Sequence, residues 1–489
     1  MRRLLAVVAV LALSGCAVGP DFHRPAAPTV GSLVAAPLPD TAASANVVGG
    51  EAQHFVSGGD IPAQWWALFH SHELNALIEQ ALAHNADLKA AQAALTVAQE
   101  TTLAGRGAYF PNMSAGISGS REQDPPGALA PVPSNNAFLY NLFTPQVSVS
   151  YVPDVFGLNR RTVESLQAQQ QGVRYQMIAT YNTLAANVVV AAIQVASLEQ
   201  QIAITRKLVA DNDDMLRILH YQLDKGYASG VDVAAQASQA AAIEATLPPL
   251  LNQLDQQQHL LAVLCGRYPG QMTFQSFDLS KLQLPQDLPL SLPSKLVAQR
   301  PDVLQAQANL HAASAQIGVA IANRLPNIEL SAGGGSTALA INQIFHAGTG
   351  FWNIGAAITA PIFQGGTLRH QERAAKAAYV QAAEQYRSTV LTAFQNVADT
   401  LSALQHDAAG LKAAAKAADA ASTSLKLSQQ LVRDGAASHL QLVTAEQASQ
   451  QSQIALIQAQ ASRYADTAAL YQALGGGWWQ RHAPTSESP

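Results

Sequence analysis

NADLKAAQAAL at residues 85–95, running on to YFPN at 109–112, and RPDVLQAQANL at residues 300–310, running on to RLPN at 324–327, decide the architecture when laid over one another. At an offset of 215 Asp87 falls on Asp302, Leu95 on Leu310, Pro111 on Pro326 and Asn112 on Asn327. Farther on, KGYASGVDV (225–233) matches DGAASHLQL (434–442) at an offset of 209, with Gly226 on Gly435 and Ser229 on Ser438. A chain that repeats itself in this way is built from one supersecondary unit used twice, with only loop lengths changed.

Working outward, each half reads as helix, strand, loop, strand, very long helix, turn and returning helix. The long helices show in heptads: Met177, Tyr181, Leu184, Val188, Ala191, Val195, Leu198 and Ile202 keep a 4,3 spacing, as do Phe394, Val397, Leu401, Leu404, Ala408, Leu411, Ala415 and Ala418. A 3.5-residue period held this long means coiled-coil packing, and the alanines let helices approach closely. The spacing predicts long helices over about 157–220 and 366–432, the first reaching roughly 95 Å at 1.5 Å per residue. Returning helices are expected at 231–264 and 439–474, the first broken or kinked at Pro248 and Pro249, which remove helical hydrogen bonds.

Short alternating runs lie between the helices, at 113–121 and 146–154 in the first half and at 328–337 and 352–361 in the second. Alternation over about ten residues suits a transmembrane β-strand or one face of a small soluble sheet. Four strands in one chain leave open edges, and unpaired backbone in hydrocarbon costs several kcal/mol per group. Closure in a membrane therefore needs several copies. Two copies give eight strands and a filled interior; three give twelve and a lumen. The fold expected is mainly α with a small transmembrane β part, a long antiparallel coiled-coil barrel plus four strands per protomer, closing as a twelve-stranded barrel in a trimer.

Arg2 and Arg3, the apolar run Leu4–Leu13 and then Ser14, Gly15 and Cys16 have the order of a secretory signal at 1–15. LSGC resembles a bacterial lipobox, which implies acylation of Cys16. Ala17 after it implies outer-membrane sorting. Apart from this leader, no stretch reads as a bilayer-spanning helix. Residues 16–60 read as an extended strap, 61–265 as the first repeat, 266–293 as a linker, 294–475 as the second repeat and 476–489 as a tail. Charged residues make up 12% of the chain, net charge is −5 and the pI is near 6.2, which supplies no basic surface for nucleic acid. With Cys16 acylated, Cys265 has no disulfide partner and reads as a small buried apolar residue.

CAVGPDFHRP (16–25), WWALFHSHELNALIEQAL (65–82), YVPDVFG (151–157), RPDVLQAQANL (300–310) and PIFQGG (361–366) together resemble the TolC and NodT-like outer-membrane efflux protein family over nearly the whole mature length. The resemblance implies a homotrimer whose barrel sits in outer-membrane lipid and whose twelve-helix tunnel projects into the periplasm. It implies a passive conduit for drugs or other small molecules, docked to a periplasmic adaptor and through it to an inner-membrane pump. No cofactor is expected beyond the lipid on Cys16. The docking tip would comprise Gly226, Tyr227 and Ser229 with Gly435, Ala436 and Ser438, flanked by Lys225, Ala228, Asp434 and Ala437. The family's Val-Gly-Leu form of this turn is absent. Asp232 matches a gate aspartate, while the second half carries Gln441 and Thr444 where relatives often hold acids, implying weak cation preference. The plainer readings are helix-ending left-handed glycines and an early-helix carboxylate favoured by the helix dipole.

An enzyme is disfavoured. His70, His72 and Glu73 resemble a metal cluster but sit at a helix start without a second ligand set. GGGS at 333–336 lacks the lysine of a phosphate loop and suits close strand packing. The rival function is a lipid-anchored helical scaffold or adaptor in the periplasm that never inserts.

Overall fold

The computed structural model describes residues 17–28, 42–123, 125, 138–272, 277–290 and 293–480. Cys16 and its leader, most of the loop joining the first two predicted membrane strands, and 481–489 lie outside the described residues. In chain order the elements are β1 (His54–Ser57), α1 (His72–His84), α2 (Ala86–Arg106), β2 (Asn112–Gln123), β3 (Leu139–Tyr151), α3 (Leu158–Asp224), α4 (Gly230–Glu244), α5 (Leu247–Leu264), β4 (Asp287–Leu290), α6 (Pro293–Gln299), α7 (Pro301–Ala322), β5 (Asn327–Ser336), β6 (Gly350–Thr359), α8 (Thr367–Arg433) and α9 (His439–Ala473). The protein is mainly helical. The helices α3 and α8 each have 67 residues, roughly 100 Å of rise. The chain divides into two compact units, and neither is a sequence half. The first draws on Met1–Arg24, Leu95–Val173 and Ala306–Tyr386, the second on Pro25–Ala94, Arg174–Gln305 and Arg387–Pro489.

In the second unit, the heptad residues Leu184, Val188, Ala191, Val195, Leu198 and Ile202 are buried, as are Val397, Leu401, Leu404, Ala408, Leu411 and Ala418. One window of α3 is apolar enough for its length to cross a membrane, contrary to the expectation that no stretch past the leader would be. Most of that window is buried inside the protein. Between Leu184 and Leu198 nearly every side chain is covered, and a helix enclosed on all sides is apolar all round. Trp65, Trp66, Phe69, Leu74 and Ile78 join this core, with Trp65 stacked on Tyr471 at 5.4 Å.

Several expected boundaries shift for physical reasons. The first returning helix is two helices, and the break falls at Ala245–Thr246, before the prolines. Pro248 and Pro249 occupy the first turn of α5, where a missing N–H costs nothing. The stretch read as linker buries Leu279, Leu282, Leu284 and Leu288 in the core. Its strand β4 pairs parallel with β1, inside the supposed strap, so the chain has six described strands where four were expected. The tail begins later than residue 476. Gly475, Gly476 and Gly477 take positive φ, Asn182 donates to the Gly475 carbonyl at 2.7 Å, and the Trp478 indole donates to the Gln299 carbonyl at 2.7 Å. Arg300, of the repeated RPD motif, donates to the Ala473 carbonyl at the end of α9 and to Asp302.

The first unit holds a four-stranded antiparallel sheet in the order β2-β3-β5-β6. The strand β3 starts at Leu139, seven residues before the predicted 146, and ends at Tyr151, before Pro153. The pairs Ile117↔Pro145 and Gln123↔Leu139 carry the ladder through Pro145, although a proline cannot donate to it. The other three strands, β2, β5 and β6, are Asn112–Gln123, Asn327–Ser336 and Gly350–Thr359, so the predicted runs are displaced by one or two residues at most ends. Gly335 permits the β3–β5 approach: a Cβ there would lie 2.3 Å from the Pro145 carbonyl oxygen.

Candidate functional site: a two-faced sheet and two helix-hairpin tips

Strand side chains alternate, so the registers assign every residue of the sheet to a face. Met113, Ala115 and Ile117 of β2 share one face with Val147, Val149 and Tyr151 of β3, with Ile328, Leu330 and Ala332 of β5, and with Trp352, Ile354 and Ile358 of β6. Ser114 and Ser118 share the opposite face with Gln146, Ser148 and Ser150, with Glu329 and Ser331, and with Asn353 and Thr359. The Ser114 and Ser148 hydroxyls stand 3.3 Å apart, as same-face neighbours do. On the apolar face Met113, Ile117, Trp352, Ile354 and Ile358 are all exposed. Such a face, uncovered by its own chain and backed by small polar residues, suits lipid on one side and water on the other.

The stretch following Cys16 is held in this first unit. Buried Arg161 donates to the Val18 and Gly19 carbonyls and pairs with Asp21 and Glu164, each at 2.8 Å. The Arg161 hydrogen bond holds the Asp21 carboxyl below its ordinary range. Phe22 stacks on His311 at 4.3 Å, and the His311 ring meets Glu164 at 2.9 Å. Gly157, at φ +81, lets the strap pass, since a Cβ would lie 2.6 Å from Ala17.

The second unit carries the two hairpin turns. In each, a glycine at positive φ (Gly226, +75; Gly435, +71) closes a Schellman motif. The Gly226 and Tyr227 amides donate to the Leu223 and Gln222 carbonyls, and the Gly435 and Ala436 amides to those of Val432 and Leu431. Three residues past each glycine a serine caps the next helix: Ser229 accepts from the Asp232 amide and Ser438 from the Gln441 amide. The difference lies at the third helical position. Asp232 returns a bond to the Ser229 amide at 3.0 Å, completing a capping box, whereas at Gln441 only the serine half is formed. The plainer reading of the glycines therefore holds, and so does a helix-start role for Asp232. Tyr227 is exposed, as are Tyr221, Val231 and Leu440, and the Lys225 ammonium lies 5.6 Å from the Tyr221 ring centroid.

The structure does not bring all three candidate gate residues together. Thr444 lines a cleft of about 510 Å³ with Gln239, Ile243, Thr246 and Gln447, whereas Asp232 and Gln441 sit in the first turns of α4 and α9 and do not line it. Beside that cleft are polar groups that sequence reasoning passed over. Gln447 donates to Gln239, Gln236 donates to Asn212 at 2.8 Å, and Glu446 is buried. Burial, and secondarily Asp211, push the Glu446 carboxyl up. A second acid, Asp466 of α9, is raised by burial and by Asp407 of α8, near buried Arg463, which donates to the Ala43 and Glu51 carbonyls. These residues carry no spacing signal; only the packing of distant helices makes them neighbours.

His70 ends a 3-10 turn in the left-handed region, and Ser71 caps α1 and donates to Glu73, so the HSHE string serves a helix start. Among the described residues no three His, Cys, Asp or Glu side chains gather as metal ligands. Cys265 is buried, and burial pushes its thiol up to about 11.

Comparison with known proteins places this geometry. The sequence pattern described as "outer membrane efflux protein" matches residues 77–267 and 292–476. The pyoverdine export outer membrane protein OpmQ of Pseudomonas putida is 29% identical over 457 residues, covering 92% of this chain and 95% of the relative. Outer membrane protein OprJ of Pseudomonas aeruginosa is 26% identical over 478 residues, 97% of this chain and 95% of its own. The solved outer-membrane channel OprN superposes with a TM-score of 0.83 at 25% identity, over 95% of this chain and all of that one. The outer membrane protein VceC of Vibrio cholerae gives 0.78 at 25% identity, over 86% and 100%. The match across both stretches shows that this chain belongs to the outer membrane efflux protein family, as a channel component residing in the outer membrane and not an enzyme.

Proposed function

We propose that the protein is the passive outer-membrane duct of a tripartite export machine, working as a homotrimer that carries small molecules, drugs among them, from the periplasm to the exterior. The observation that carries this reading is the two-faced sheet. One chain offers four strands with an exposed apolar face, a polar face and two open edges. Three chains supply twelve strands, enough for a barrel with a lumen. The long helices of the three copies would line a periplasmic tunnel.

In this reading the hairpin tips meet a periplasmic adaptor that links the duct to an inner-membrane pump. Exposed Tyr227, Val231 and Leu440 beside two rigid Schellman turns offer apolar contact on a pre-shaped surface. The docking set is Gly226, Tyr227, Ser229, Gly435, Ala436 and Ser438. In the trimer Asp232, Gln441 and Thr444 of the three copies would together ring the narrow entrance, with Asp232 the one acid of the three. Cys16, acylated, fixes the strap to the membrane, and the stretch that follows it is docked on Arg161 through Val18 and Asp21.

Expressed with its native leader, the protein should sediment with outer membranes, resist carbonate and urea extraction, and migrate as a trimer. A carbonate-soluble monomer would support the rival reading, a lipid-anchored scaffold that never inserts.

A further inference from the structure

The loop joining β5 to β6, residues 337–349, holds no Asp, Glu, Lys or Arg. From Asn327 to Pro361 the one such residue is Glu329, on the polar face of the sheet. The loop nonetheless leaves two large apolar side chains in the open, Ile341 at 67% and Phe345 at 77% exposure. Phe345 also has a φ of +67, a left-handed backbone that bulky side chains rarely adopt and that Gly or Asn takes with less strain. A loop standing free in water has no use for a phenylalanine at that position. An apolar surrounding gives it one.

The hydrogen bonds show on which side of the sheet the loop lies. The Thr144 and Thr337 hydroxyls stand 3.4 Å apart on the polar face, so the alternation of β5 persists to its end and Ser336 points to the apolar face, with Gly334 and Trp352. Although that face is open elsewhere, Ser336 is buried. Its Oγ accepts from the Phe345 N–H at 3.1 Å and donates to the Thr349 hydroxyl at 2.7 Å, which in turn donates to the His346 carbonyl at 2.9 Å. Ala338 ties the base of the loop to β3 through two backbone bonds with Phe143. The loop is thus folded back over the apolar side of the sheet and not across the polar side. Trp352, 78% exposed, stands on that same side opposite Gly334. The four strands join α2, α3, α7 and α8 at one end of the sheet, so this loop lies at the other, which in the duct reading faces the exterior.

We propose that the β5–β6 loop is a lipid-docking element: pinned outward by Ser336, it sets Phe345 and Ile341 into the acyl boundary of the outer leaflet above Trp352. An uncharged, apolar-tipped loop continuous with an apolar sheet face matches the boundary layer of a bilayer, where aromatic side chains are favoured and charges are not. The proposal rests on the duct reading and extends it past the strands: this loop holds the wall in the membrane and stays clear of the exit. The competing surroundings are water and protein, the latter either a neighbouring copy or the inside of the wall.

Spin labelling of the full-length protein in phosphatidylethanolamine–phosphatidylglycerol vesicles tests it. Nitroxides are placed through Phe345→Cys, through Ile341→Cys, which keeps Phe345 in place, through Ile354→Cys on the sheet face, and through Tyr227→Cys at the helix tip. The unmodified chain supplies the background, and native mass reports that each variant assembles as it does. Oxygen concentrates among acyl chains and a nickel chelate stays in water, so the ratio of their collision rates reads the surroundings of each label. The ratios at 341 and 345 should exceed that at 227 several-fold and approach that at 354. Adding Ser336→Ala should bring the ratio at 345 down towards the value at 227 and leave that at 354 unchanged; a ratio at 345 that does not move would overturn Ser336 as the pin. Labels at 341 and 345 as open to nickel as that at 227, with 354 in lipid, would overturn the docking and leave the duct reading standing. Labels shielded from both reagents would overturn it in favour of protein contact. A label at 354 as open to nickel as that at 227 would remove the duct reading itself.

Discussion

Ser229 and Asp232 satisfy each other's backbone at the first turn of α4, and Ser438 does half as much for α9. Loss of an N-cap hydroxyl costs about 1 kcal/mol, so Ser229→Ala should speed hydrogen exchange at the start of α4. Asp232→Ala should do likewise, whereas Gln441→Ala should leave α9 protection nearly unchanged. Asp466 behaves differently. Burial and Asp407 raise its folded-state pKa above the usual carboxylate range, against an opposing pull from Arg463. The fold therefore favours the protonated acid, and that contribution is present at low pH and fades as pH rises through the raised pKa. Asp466→Asn should raise the melting temperature more at pH 8 than at pH 5; an equal shift at both would show that the fold does not raise the Asp466 pKa above 5. The turn glycines were legible because the repeat aligns them; the capping role of Ser229 and Ser438 was not read. Asp466, Glu446 and Arg463 were not legible either, since a polar residue in a heptad shows its burial only when the partner helices are in place.

Each strand of the sheet has an apolar face, which calls for an apolar surrounding, and a polar one, which calls for water. If that surrounding is lipid, Ile117→Arg should cost the membrane form about 2–4 kcal/mol near mid-depth, while Ser118→Arg on the other face should be tolerated and should shift ion selectivity. Urea titration in lipid vesicles measures the first and reversal potentials the second. The strap makes a similar divided prediction. Arg161→Ala removes bonds to Val18, Gly19 and Asp21, so protease cleavage within 17–28 should rise while the sheet stays intact. Heptads located α3 and α8 to within a few residues because their period persists for many turns. Shorter elements were less visible. Pro145 hid the first half of β3, and four-residue β1 and β4 gain their identity only from pairing across more than two hundred residues. Pro248 and Pro249 showed that a break was needed, but whether a proline ends a helix or begins one depends on the cap preceding it.

In the whole molecule, each compact unit takes segments from both sequence halves. The halves are visible as similarity, but similarity does not say which segments pack together, and the chain threads between units through the continuous helices α3 and α8. Family membership, the mainly helical fold and the channel role were all within reach of the sequence, because motifs spread from Cys16 to Gly366 converge on one resemblance. The number of copies is a matter of closure: four strands with open edges are stable in lipid only as part of a larger ring. The most direct test of that claim is single-channel recording of the purified full-length protein in planar bilayers. The account predicts discrete conductance steps from a trimeric species, enlarged by Asp232→Ala, which loosens the entrance. A trimer-free preparation, or one that inserts yet stays silent with Asp232→Ala in place, would contradict it.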